Sequence, residues 1–94
     1  MVRRFGTTKI SEFVHGTGTS IWYHEDGAKY REAPYVNGKQ HGTQIWYYKD
    51  GSKLSEIPYL DGKKHGTMID YREDGSKGIE IVYENGEEIS RKKF

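Results

Sequence analysis

The chain has 94 residues, a formal net charge of +1 and 33% apolar residues, with two leucines, Leu54 and Leu60. It contains no cysteine, which excludes disulfides, thiolate zinc sites and thiol nucleophiles. The near-neutral charge lacks the basic surplus usual for nucleic-acid binding, and no apolar run approaches the ~20 residues of a spanning helix.

The first six residues, Met-Val-Arg-Arg-Phe-Gly, are partly basic but lead into no apolar stretch, so they do not read as a signal peptide. The expectation is a soluble cytoplasmic protein with no membrane and no nucleic-acid partner. A mean hydropathy of -0.96 by itself favours disorder. Against it stand 14% aromatic residues, eight of them tyrosines, whose rings can be buried while their hydroxyls reach water. Such a chain can fold in thin, half-wet layers.

Lys9-Ile10-Ser11-Glu12 echoes Lys53-Leu54-Ser55-Glu56, and Phe5-Gly6 stands where Asp50-Gly51 would, one residue out of step. Residues 1–17 therefore read as a partial repeat. Full units follow at 18–41, 42–65 and 66–89, with a basic tail at 90–94. At a shift of 24 residues Gly18, Gly42 and Gly66 coincide, as do Ile21, Ile45 and Ile69, and Tyr23, Tyr47 and Tyr71. Glu32, Glu56 and Glu80 follow, then Tyr35, Tyr59 and Tyr83. A fixed period in this range marks a repeat array.

Within each unit, a stretch such as Thr43–Tyr48 is aromatic and β-branched, and Asp50-Gly51 signals a hairpin. The return stretch, Lys53–Tyr59, leads to a second turn at Asp61-Gly62, or Asn37-Gly38 one unit earlier. The recurring glycines and the lack of a 3.6-residue period exclude helix. The prediction is an all-β, elongated, curled single-layer antiparallel meander of about seven short strands.

Register decides which residues share a face. A two-residue loop sets Ile45 opposite Glu56. A three-residue loop, Lys49-Asp50-Gly51, sets Ile45 against Ser55 and Tyr47 against Lys53. The second is favoured because it groups Ile45, Tyr47, Ile57 and Tyr59, which recur from unit to unit, into one stacking face. Trp22, Trp46, Tyr48 and the glutamates would then lie on the other, more variable face.

His15, His41 and His65 do not make a metal site, since equivalent residues are two strands, ~10 Å, apart and zinc ligands lie ~2 Å from their ion. A turn-closing hydrogen bond explains them better. Glu32, Glu56 and Glu80 read as structural partners of nearby lysines. No nucleophile triad or phosphate loop is present, so no enzyme activity and no cofactor are expected. Glu56 with His41 is the least poor acid–base pair for an enzyme. Trp22 and Trp46, with Tyr30, Tyr48 and Leu54 on or near the same side, are the sharper candidates: exposed aromatics in a row mark protein hot spots or sugar-stacking platforms. Arg91-Lys92-Lys93 reads as protection of a sheet edge.

At these residues the chain resembles MORN-repeat proteins, in the bacterial variant of the YwqK-type antitoxin family. The pattern is His-Gly-Thr-x-x-x-Tyr-Tyr-x-Asp-Gly and then Glu-x-x-Tyr-x-x-Gly-Lys, within His41 to Lys63. The resemblance covers residues 15–88 and implies a curled β-meander that serves as an interaction scaffold, with a toxin as partner. The third unit departs from it: Asp70 replaces the tryptophan, Val82 replaces Pro34 and Pro58, and Gly78 interrupts the return strand. The expected function is a non-enzymatic module that binds a protein through Trp22, Trp46, Tyr48, Tyr30 and Leu54. The alternatives are a small enzyme or carbohydrate-binding module on the aromatic face, and a protein that self-associates as a homodimer through edge strands.

Overall fold

The structure is a computed structural model that describes residues 7–14 and 16–94, with side chains from residue 16 onward. Its strands are β1 (Thr7–Val14), β2 (Thr17–Tyr23), β3 (Lys29–Val36), β4 (Lys39–Gln40) and β5 (Gly42–Tyr47), followed by β6 (Lys53–Leu60), β7 (Lys63–Lys64), β8 (Gly66–Tyr71), β9 (Lys77–Glu84) and β10 (Glu87–Lys93). They form a single antiparallel sheet in sequence order, with the two-residue strands β4 and β7 set beside β3 and β6. No helix is present among the described residues. The layer measures 44 × 35 × 20 Å. His15 and Phe5-Gly6 lie outside the described residues.

Both predicted turns are found. At the hairpin tips Gly27, Gly51 and Gly75 have φ of 93°, 93° and 89°. Tyr48 N–H donates to Ser52 O (2.8 Å), closing the three-residue loop. Each loop aspartate locks its tip: Asp50 Oδ1 accepts from the Ser52 amide (2.8 Å) and hydroxyl (2.6 Å), and Asp74 does the same for Ser76. The second turns are two-residue loops with both φ positive, as at Asn37 (50°) and Gly38 (82°), the geometry that suits a twisted hairpin.

The predicted faces need correction. Tyr47 does oppose Lys53, but one residue further on β6 bulges at Leu54, so that Trp46 opposes Ser55 and Ile45 opposes Glu56. The same bulge falls at Tyr30 and Gly78. Gly78 therefore does not interrupt the third return strand, which runs unbroken as β9. Because side chains alternate along a strand, the extra residue moves Ile57 and Tyr59 onto the tryptophan face and Glu56 onto the face of Ile45 and Tyr47. The buried residues Ser20, Ala33, Gln44, Ser55, Ile57 and Ile81 all belong to the tryptophan face. The core lies there, against the expectation that the repeated isoleucine and tyrosine layer would be the buried one.

The other face carries a polar ladder. Tyr47 Oη donates to Glu32 Oε1, and Tyr71 Oη donates to Glu56 Oε1. Each glutamate also takes a lysine three residues before it: Lys29–Glu32 (3.2 Å), Lys53–Glu56 (3.2 Å) and Lys77–Glu80 (2.9 Å). The structural role predicted for the glutamates is thus found, and the tyrosine of the following unit completes it. Tyr71 is pushed up to about 12, first by its bond to the Glu56 carboxylate. Burial, then Glu32, raises Tyr47 to about 12. The Tyr71 hydroxyl in turn holds Glu56 below the ordinary carboxylate range, with Lys53 adding to it.

Units are also tied at the opposite edge. Gly38, Gly62 and Gly86 donate their amides to the carbonyls of Gly16, Gln40 and Lys64 (2.8–2.9 Å). The Asn37 amide donates to Thr17 Oγ1 (3.0 Å), and one period pair later the Asn85 amide donates to His65 Nδ1 (3.4 Å). The turn-closing role predicted for the histidines is therefore seen at His65, while His41 Nδ1 lies 3.7 Å from Asp61 Oδ1. Between β4 and β5 the strand kinks at Gly42, whose φ is 113° and where a Cβ would stand 3.0 Å from Pro34 Cγ. A side chain here would be strained by the φ and would press on the proline ring.

Candidate functional site

The correct register lines the tryptophans up in one cross-sheet row. Trp22 pairs with Arg31, Arg31 with Trp46, Trp46 with Ser55, Ser55 with Asp70, Asp70 with Ile79, and Ile79 with Lys93. β3 thus sets Arg31 between the two tryptophans. Its guanidinium carbon is 4.1 Å from the Trp22 ring centroid and 5.1 Å from that of Trp46, within cation–π range of both. Gln44 fastens the group from below. In the orientation that satisfies its neighbours, its carbonyl accepts from Trp46 Nε1 (2.8 Å) and Arg31 Nε (3.2 Å), and its amide donates to Gln40 Oε1 (2.7 Å).

The five predicted residues are all half-buried. Tyr30, the bulge residue of the first unit, joins the tryptophans: its ring lies 6.5 Å from Trp46 and 4.8 Å from His24. Trp22, Trp46 and Tyr30 are therefore brought together. Tyr48 belongs to the next tip, where its hydroxyl donates to Tyr71 O (2.6 Å), and Leu54 occupies the bulge of the second unit. Arg31 was missed, because in sequence it is one more charged residue of a strand. Its position, variable from unit to unit as Arg31, Ser55 and Ile79, between two tryptophans was the available signal once the register was right.

A groove of about 410 Å³ opens between the first two hairpin tips, lined by Tyr23, Lys29, Tyr47 and Asp50 among others. None of the five predicted residues lines it. Glu56 is held by Tyr71 and Lys53, and among the described residues no hydrogen bond or ion pair joins it to His41. Among the described residues no group of three potential ligands could hold a metal ion, and no helix is long and apolar enough to cross a membrane. Arg91, Lys92 and Lys93 lie in β10, an end strand of the sheet.

The family model for the MORN repeat variant matches residues 17–37 and 40–61, which are the first two hairpin units with their turns. Among curated proteins and among solved structures, none matches the chain. Over these two units the recurring hairpin is thus similar to the MORN repeat variant.

Proposed function

We propose that the chain is a non-enzymatic binding module that captures a protein partner on the tryptophan face. The observation that carries this reading is the cross-sheet row itself. One unit of it is a Trp–Arg–Trp stack that stays half-exposed beside the buried residues of the same face, and the opposite face carries the tyrosine–glutamate ladder between units. Large, rigid aromatic residues and arginine set in a polar surround have the composition of interaction hot spots. The ladder glutamates are held by tyrosine and lysine partners, which supports a structural use of these carboxylates over a catalytic one. The resemblance to YwqK-type antitoxins would make the partner a toxin, and the place of action the cytoplasm; the row speaks for a protein surface of either kind.

The test is affinity capture from the native cell, identification of the partner, and titration of the purified pair. Trp22→Leu and Trp46→Leu should each weaken binding by at least about tenfold. Because these rings also support Arg31, a control of comparable destabilisation is needed on the other face. Tyr71→Phe serves, and should bind as the wild type does. Equal losses from all three variants would mean that stability, not the aromatic row, governs binding, and would refute the reading.

A further inference from the structure

Read across the sheet, the row is complete at one end and incomplete one unit later. Trp22 and Trp46 enclose Arg31. Trp46 and Asp70 flank Ser55, which holds the position equivalent to Arg31 with a far smaller side chain. Ser55 is 3% exposed, and its Oγ has no hydrogen-bond partner among the described residues. Asp70, directly opposite and half-buried, forms no side-chain hydrogen bond or ion pair among them. Arg72, two residues on and just past the end of β8, is turned to Ser76 Oγ, Lys77 O and Phe94 O. Lys93 is in the same row but beyond Ile79, and no ion pair joins it to Asp70. An unpartnered buried hydroxyl beside an unpaired, partly desolvated carboxylate is unusual in a folded chain.

We propose that Trp46 and Asp70, which flank Ser55, form a recognition site for an arginine side chain of the protein partner. The inference rests on the reading of the tryptophan face as a binding surface and names the chemistry of its occupant. The first unit shows the geometry in cis: a guanidinium lying against an indole in this row position. In the second unit Trp46 offers an aromatic surface and Asp70 a carboxylate, on either side of the small, buried Ser55. A planar guanidinium uses both, whereas an ammonium has no flat surface to lay on the ring. Charge complementarity selects the occupant, since among the described residues the carboxylate of Asp70 has no cation paired with it.

The probes are N-acetyl-arginine amide and its uncharged isostere N-acetyl-citrulline amide, titrated into the full chain and followed by two-dimensional NMR. The arginine probe should shift the Trp46 indole N–H and the Ser55 and Asp70 amides saturably, with the Trp22 indole N–H unmoved. Asp70→Asn should weaken it by about fivefold, and citrulline should bind no better to the wild type than arginine binds to that variant. Ser55→Arg should fill the site from within and abolish probe binding. Should this variant fail to fold, Asp70→Asn and citrulline still decide. Equal binding of both probes, no effect of Asp70→Asn, or no shift at Trp46 would overturn the inference. A partner captured in a tryptophan-dependent way but indifferent to Asp70→Asn would overturn it while leaving the binding face standing. Arginine binding with no tryptophan-dependent partner would uphold the site and refute the broader reading.

Discussion

Removing one oxygen atom tests the inter-unit ladder. Tyr71→Phe keeps the ring and deletes the hydroxyl that donates to Glu56. A hydrogen bond to a charged acceptor contributes about 1.5–3 kcal/mol. Glu56 keeps Lys53 at 3.2 Å and is 23% exposed, so water and the ammonium take up part of the loss, and about 1–2 kcal/mol is expected. For a chain of this length that lowers the melting midpoint by about 5–12 °C. The third rung provides the opposite perturbation. Lys92 opposes Glu80 as Ile45 and Ile69 oppose Glu32 and Glu56. The ring of Phe94 then lies 5.8 Å from Lys77, as that of Tyr47 does from Lys29. Phe94→Tyr should therefore raise stability, by about 1 kcal/mol. The assay is thermal and urea unfolding, with Tyr71→Phe repeated in a Glu56→Ala background. A change under about 0.3 kcal/mol, or the same cost with and without Glu56, would refute the ladder.

The same bonds fix how stability depends on pH. Glu56 is held below its ordinary value of 4.5, so its contribution is present above that value and is lost as pH falls through the folded one. Tyr71 is raised from 10.0 to about 12, so its contribution is complete below pH 10 and is lost between there and about 12. The difference in melting midpoint between wild type and Tyr71→Phe should be flat at mid pH and narrow at both ends; a constant difference from pH 2 to 12 would contradict this. Gly42→Ala and Gly51→Ala impose similar backbone strain, at φ of 113° and 93°, but only the first brings a Cβ to 3.0 Å from a proline ring. Gly51→Ala should cost about 1 kcal/mol and Gly42→Ala at least about 1 kcal/mol more, read by urea unfolding; equal costs would show that the kink does not depend on the contact with Pro34.

Period, turns and sheet were legible because each has a local cause. Asp50-Gly51 and Asn37-Gly38 can adopt the positive φ that few other residues accept, and a repeated hairpin can bury little except against its neighbours. The faces were not legible. The loop residues correctly set Tyr47 against Lys53, but the bulge one step later is occupied by Tyr30, Leu54 and Gly78, three residues with no shared chemistry. No residue type announces that bulge. The error carried Ile57, Tyr59 and Glu56 to the wrong sides, and it hid Arg31, whose partners are adjacent only in the observed register. Trp22, Trp46 and Tyr30 could be grouped all the same, because tryptophan and tyrosine stand out in any register.

Since each 24-residue unit repeats the same pairing, residues that occupy one slot of the unit are spaced along a row across the sheet at a pitch of two strands, about 9–10 Å. The sheet thus works as a ruler whose marks can be rewritten one at a time, without disturbing the divisions that the tyrosine ladder maintains. Exchanging a single letter, such as serine for arginine at Ser55, relabels one mark; exchanging a whole unit slides the label along by one division. A partner that reads this ruler would be selected by the spacing of its own charges as much as by their sign.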